Sequence, residues 1–356
     1  MTRRTYIDCA RGVAVLLMIE AHTIDAWTHP ASKASIAFRN ATVLGGFAAP
    51  LFLWLAGVGV ALSAARAIER PAAVAAVCRR GLEIFILAFL FRLQAFVLSP
   101  GGPLLALFRV DILNIMGPAL VLAGILWGVA ATTPARAALF AAAAAATALV
   151  TPIVRDAAWV DAVPVWVQWH LRPAGEQTTF TAFPWFGFVF AGAAAGTLIA
   201  AAHDDRTERR IQTVAALAGT ALVALGLIAA TRPSIYRVSS FWTSSPTWFS
   251  IRAGILMIAL AALYGMGRIR SPRVRALEGP LSTLGRHSLF VYWIHVELVY
   301  GYASWLWRGT LPLWGTAVGA VLFTAVMYGV VVLRAAANFS TFRVARRRRT
   351  TPVRVS

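Results

Sequence analysis

The stretch RGVAVLLMIEAH, residues 11–22, opens the first apolar run of the chain and places a permanent cation, Arg11, and a titratable base, His22, inside it. Read as a helix, eleven steps of about 100° make roughly three whole turns, so Arg11 and His22 point nearly the same way, about 16 Å apart along the axis. Asp8 lies one turn before Arg11. Asp25 and His29 continue the stripe beyond His22, and Val15 and Met18 fill it between. Ionisable groups within a bilayer cost from a few to more than about ten kcal/mol each. The stripe is therefore expected to line a protein interior or a wet cavity, not to face lipid.

The rest of the chain makes the membrane reading general. Of 356 residues, 59% are hydrophobic and only 13% charged, against about 25% charged in soluble proteins. Runs of roughly 20 mostly apolar residues occur ten times, near 10–28, 43–63, 81–98, 111–131, 136–152, 181–201, 212–230, 250–267, 286–305 and 313–334. The predicted fold class is all-α: a polytopic membrane helical bundle of about ten transmembrane helices, a single domain over 1–342 followed by a basic, disordered tail over 343–356. The first run carries Glu20 and His22 and leads to Asp25 instead of a small-residue cleavage site, so it is expected to stay as the first span.

Orientation follows from arginine. Arg3, Arg4, Arg66, Arg70, Arg79, Arg80, Arg136, Arg206, Arg209, Arg210, Arg268, Arg270, Arg273, Arg275 and the tail fall on one set of alternate loops. The positive-inside rule then places both termini in the cytoplasm, as expected for a multi-pass protein of a bacterial inner membrane. Trp159, Trp166, Trp169, Trp185, Trp242, Trp248, Trp305, Trp307 and Trp314 collect at the opposite face, like an interfacial aromatic belt. The formal charge of +19 is spread over short loops, which argues for topology signals and membrane lipids as partners and against nucleic acid. The tail arginines suit anionic headgroups. Cys9 and Cys78 both fall on the cytoplasmic side, where a structural disulfide is not expected. The run 138–150 is alanine-rich and suits close helix packing, as does Gly57. No Cys, His, Asp and Glu grouping has metal spacing, and no GxSxG elbow occurs. A homo-oligomer stays open.

Several residues suit chemistry. His22 is a base or nucleophile that Asp25, one turn on, is placed to orient. Arg11 either snorkels at the cytoplasmic edge with Asp8 or presents its guanidinium to phosphate or a carbonyl. Glu20 points to the other side of the helix and needs a partner, for which Arg92 or Arg109 is expected. Arg109, Asp111 and Asn114 enter the fourth span. Asp111 caps that helix, or the group receives a hydroxyl-rich or amine acceptor. In LGRHSLFVYWIHVELVYGY, residues 284–302, Arg286 and His287 mark the cytoplasmic end as anchors or as ligands of an anionic cofactor, while Tyr292, His295 and Tyr302 follow at helical spacing. His295, deeper, is a pathway candidate. A proton-coupled transporter would use Glu20, His22 and Asp25 as a relay.

IDCARGVAVLLMIEAHTIDAW (7–27) resembles the opening of the transmembrane acyltransferases, both the acyltransferase-3 group and the bacterial relatives of heparan-alpha-glucosaminide N-acetyltransferase. In those proteins an arginine, ten residues and a histidine recur in the first span. PLFLWLAGVGVALS (50–63), RVDILNIMG (109–117) and LGRHSLFVYWIH (284–295) extend the likeness over most of the chain. The resemblance implies an enzyme that passes an acyl group, acetyl above all, from cytoplasmic acyl-CoA to a hydroxyl or amine of a sugar or envelope glycan at or across the membrane, without a metal. It makes His22 the general base and Arg11 a contact of the acyl donor; by their own positions, Asp25 is placed to orient His22, and Arg79, Arg80, Arg286 and His287 at the cytoplasmic mouth to hold the CoA phosphates. Arg109, Asp111, Asn114 and His295 fall to the acceptor.

Overall fold

The computed structural model describes residues 3–98 and 103–349, with side chains as far as residue 337. Its helices, in chain order, are α1 (Thr5–Trp27), α2 (Ile36–Gly45), α3 (Ala48–Ala64), α4 (Arg70–Leu98), α5 (Ile112–Val129), α6 (Thr133–Asp156), α7 (Val165–Leu171), α8 (Ala182–Ala200), α9 (Asp205–Ala230), α10 (Pro246–Met266), α11 (Pro272–Arg286), α12 (Ser288–Tyr300) and α13 (Leu313–Arg349). Two isolated bridges, Thr28 with Leu311 and Val110 with Thr178, are the extended pairings among the described residues. The fold is all-α, as the apolar periodicity predicts.

Eight helical stretches are long and apolar enough to cross a bilayer, namely Ile36–Ala64 (α2 with α3), α4, α5, α6, α8, α9, α10 and Leu313–Ala337 of α13. The chain is an integral membrane protein. The other two expected spans fall on α1, whose 23 residues include Asp8, Arg11 and Glu20, and on α12, which has only 13 residues. Leu82, Ile86, Leu90, Leu93 and Val97 on α4, and Val214, Leu217, Leu225 and Ile228 on α9, are exposed large apolar side chains. Rows of this kind are stable only against hydrocarbon. The backbone of α13 is assigned as helix through Arg349, and residues 350–356 of the basic tail lie outside the described residues.

The chain divides into two compact units, one of Met1–Gly46 with Arg270–Ser356 and one of Phe47–Ile269. In the first, α1 is the central helix, packed by α2, α11, α12 and α13. It ends before Pro30, which opens a 3-10 turn over Pro30–Ala34. Backbones of α1 and α11 touch directly: a Cβ on Gly12 would lie 2.1 Å from the Leu281 carbonyl oxygen, and one on Gly285 1.9 Å from that of Asp8. Only glycine permits that approach. At the far end of α1, the Leu311 carbonyl accepts the His29 amide at 2.8 Å and the Leu311 amide donates to Trp27 at 3.0 Å. Trp27 packs edge-on against Trp307 and Phe323 and donates its indole N–H to the Val299 carbonyl.

In the second unit α8 lies against α3, α5 and α6, while α4 pairs with α5 and α9 with α10. Gly57 sits 1.9 Å, at its would-be Cβ, from the Val189 carbonyl oxygen, and Gly192 sits 1.8 Å from that of Trp54. Thr147, Thr151 and Thr197 turn their hydroxyls back to carbonyls one turn earlier, which satisfies them inside apolar helices. Val110, Ile115 and Trp169 form a small buried cluster beneath the loop that carries α7. Asp204 caps α9, and the Thr207 hydroxyl and amide hold its carboxyl below the usual carboxylate range.

Candidate functional site

α1 brings its functional groups to two places in the first unit. Near its start, Asp8 is buried and accepts from Arg3 through Nε at 2.5 Å and from Arg11 through Nη1 at 3.3 Å. This hydrogen bond holds the Arg3 guanidinium above its ordinary pKa. Two guanidiniums on one carboxylate leave a net positive charge. The Arg11 side chain keeps 31% of its exposure, so it is half-buried. Gly285 touches the Asp8 backbone, and this sets the last turn of α11 beside the same group. There Arg286 is exposed and bonds the Ser282 carbonyl through Nε at 3.2 Å, while His287 Nδ1 faces the Thr283 carbonyl at 3.0 Å. Because a carbonyl only accepts, that nitrogen carries the proton.

Toward the other end of α1 lies a pair that the sequence holds 273 positions apart: Nδ1 of His22 is 2.7 Å from Nε2 of His295 on α12. The rings are nearly parallel, at 5°, with centroids 5.0 Å apart. A nitrogen contact this short at that centroid distance means that the rings lie edge to edge in one plane, not face to face. An in-plane arrangement points an sp² lone pair along the N–H direction of its partner. His295 has no exposure, and its Nδ1 faces the Val291 carbonyl at 2.9 Å. Tyr300 closes the other side of His22, its ring edge-on at 5.6 Å, and donates its hydroxyl to Asp25 at 2.9 Å. The Lys33 ammonium completes the group, 2.6 Å from the Asp25 carbonyl and 3.6 Å from its carboxylate.

Several expectations change. Helical spacing alone puts Asp25 one turn from His22, but the Asp25 carboxylate takes Tyr300 and Lys33, and the ring contact of His22 Nδ1 is His295. Glu20 is not paired by Arg92 or Arg109. Its Oε2 is buried without a hydrogen-bond partner at the place where a Cβ of Gly45 would stand, 2.3 Å away. Arg92 instead holds Asp111 at 3.0 Å, and Arg109 donates to the Glu176 carbonyl at 2.7 Å. Asp111 and Asn114 form a capping box that starts α5. His295, expected on the acceptor side, is fully buried between His22 and the Val291 carbonyl. Tyr292 and His295 are both buried on α12, whereas Tyr302 stands beyond its end.

Arg79, Arg80, Arg109, Asp111 and Asn114 all belong to the second unit, where Arg80 pairs with Glu83 at 3.0 Å. Cys9 and Cys78 point their thiols at the carbonyls of Glu278 and Val121. Among the described residues no group of His, Cys, Asp and Glu is arranged to hold a metal ion. Sequence reasoning missed Tyr300 and the His22–His295 contact. Its one available signal was a second histidine deep in another apolar run.

No curated protein matches the chain in a sequence comparison. A family model, described as the catalytic domain of heparan-alpha-glucosaminide N-acetyltransferase, matches residues 3–239, from the start of α1 through α9 and into the loop beyond it. The match includes Asp8, Arg11, His22 and Asp25 and covers well over half of the chain, which therefore belongs to the heparan-alpha-glucosaminide N-acetyltransferase catalytic family.

Proposed function

We propose that this protein is an acyl-CoA-dependent transmembrane acyltransferase that moves an acetyl group to a hydroxyl or amine of a sugar or envelope glycan, with His22 as the general base. The observation that carries this reading is the position of His22: on the family-matched helix, half-buried, and locked in plane against a fully buried second imidazole. His22 takes the proton from the acceptor as its oxygen or nitrogen attacks the thioester carbonyl. The C–S bond then breaks, and the same proton passes to the departing CoA sulfur.

Donor binding falls to Arg11, Arg286 and His287, which the α1–α11 contact gathers in the first unit. The two guanidiniums on Asp8 show that this end carries excess positive charge, which suits the CoA phosphates. Arg11 and His22, about 16 Å apart along α1, then hold the two ends of one extended acyl-CoA. Both termini face the cytoplasm in this reading and α1 and α12 complete ten crossings, so the donor enters from inside. On the acceptor side, the exposed Asp25 and Tyr300 stand beside His22.

The transporter reading needs Glu20, His22 and Asp25 to pass protons along one line. The hydrogen bonds of His22 and Asp25 run instead to two different residues of α12, which supports the enzyme. The test is acetyl-CoA consumption and product formation by purified protein in lipid against a panel of sugars and glycans. A positioned base contributes about 10² to 10⁴-fold, so His22→Ala is expected to lose that factor while remaining folded. Undiminished transfer by the variant, or solute flux with no thioester consumed, overturns the assignment.

A further inference from the structure

Catalytic imidazoles are commonly oriented by a carboxylate. The carboxylate one turn on along the same face of the helix, Asp25, is engaged by Tyr300 and Lys33. We infer that His295 takes that place: it is a positioning residue that fixes the tautomer of His22, so that the base nitrogen is Nε2. This rests on the reading of His22 as the base.

The argument starts at a carbonyl. Val291 oxygen can only accept, so Nδ1 of His295 donates to it at 2.9 Å. A second proton on His295, which has no exposure, would bury a full charge without a counter-ion, which a dry interior strongly disfavours. The neutral ring therefore presents the lone pair of Nε2, and the partner of that lone pair, 2.7 Å away, is Nδ1 of His22. His22 must donate there. Its proton is on Nδ1, and its lone pair is on Nε2.

The same bond persists when His22 accepts a proton from the acceptor, because the imidazolium still donates through Nδ1. His295 thus orders the ring before the reaction and receives its stronger hydrogen bond during it, without itself gaining or losing a proton. Its carbonyl partner lies one turn back on α12, so the orienting chain runs from backbone to imidazole to imidazole. Both ring nitrogens of His295 are thus taken, one by the Val291 carbonyl and one by His22, in a ring with no exposure.

Two measurements decide it. Nitrogen-15 spectra of histidine-labelled protein in lipid, with the His22 signal identified by its loss in His22→Gln, should show Nδ1 protonated and Nε2 unprotonated. This readout is independent of turnover, so it stands even if acetyl-CoA proves not to be the donor. In the acetyl-transfer assay, His295→Leu should lower kcat about 100-fold with KM for acetyl-CoA unchanged. His295→Gln, whose amide can both donate to Val291 and accept from His22, should stay within about tenfold of wild type. A His22 tautomer protonated on Nε2 overturns the inference, as does equal loss in the leucine and glutamine variants. Should the leucine variant fail to fold, the tautomer of the wild type and the glutamine variant carry the decision.

Discussion

At the residue scale, the decisive information is which partner each ionisable side chain takes. Arg11, His22 and their three-turn spacing are readable in the sequence because helix geometry fixes them before any folding. The partner of Arg11, Asp8 one turn back, is readable in the same way, but that of His22 is not, since it depends on a helix that arrives more than 250 positions later, where His295 stands. Asp25 shows the difference most plainly. If it oriented His22, its removal would cost a factor near the 10⁴ seen for a catalytic-triad carboxylate. Because it takes the Tyr300 hydroxyl and Lys33 and is 65% exposed at its side chain, Asp25→Asn is expected to cost less than about tenfold in kcat, since exposed pairs of this kind contribute little. Steady-state kinetics of the asparagine variant beside His22→Ala makes that comparison.

At the scale of elements, hydropathy and small residues specify most of the bundle. Apolar runs give the helices, and the glycines read as packing contacts do pack: Gly57 and Gly192 bring α3 and α8 to backbone contact. Gly192→Val would drive its Cβ to 1.8 Å from the Trp54 oxygen. The helices must separate, and a loss of at least about 1–3 kcal/mol should appear as a lowered thermal midpoint in detergent. Caps were only partly legible, since Asp111 was readable either as a cap or as a ligand. Its amide-to-Asn114 bond at 3.0 Å decides for the cap. Asp204 offers a pH test. Its folded pKa is depressed by Thr207, so the cap is fully effective above the unfolded value near 3.9 and is lost as pH falls through the lower folded value. Amide exchange in the first turn of α9 should accelerate below about pH 4, while Asp204→Asn, which caps without titrating, should show no such step.

For the molecule as a whole, composition alone announces a membrane protein, and the helices agree. Arginine distribution adds the proposed orientation, which labelling can check. With Cys9 and Cys78 replaced by serine, a cysteine at exposed Ser234 should react with a membrane-impermeant maleimide added to intact cells. One at exposed Arg206 should react only after permeabilisation. Reversed accessibility would invert the topology and with it the side from which the donor enters.

The 13 residues of α12 reach about 20 Å, whereas the hydrocarbon slab measures about 30 Å. In the proposed arrangement of ten crossings, lipid alongside this wall thins, or the residues flanking it stretch toward the headgroups, at fractions of a kcal/mol per Å. Either response lowers the water surface toward Tyr300 and the imidazole pair behind it. In the proposed reaction a hydrophilic acceptor then needs to descend only part of the way into the bilayer, and the depth of the chemistry follows from the shortness of the helix that carries His295.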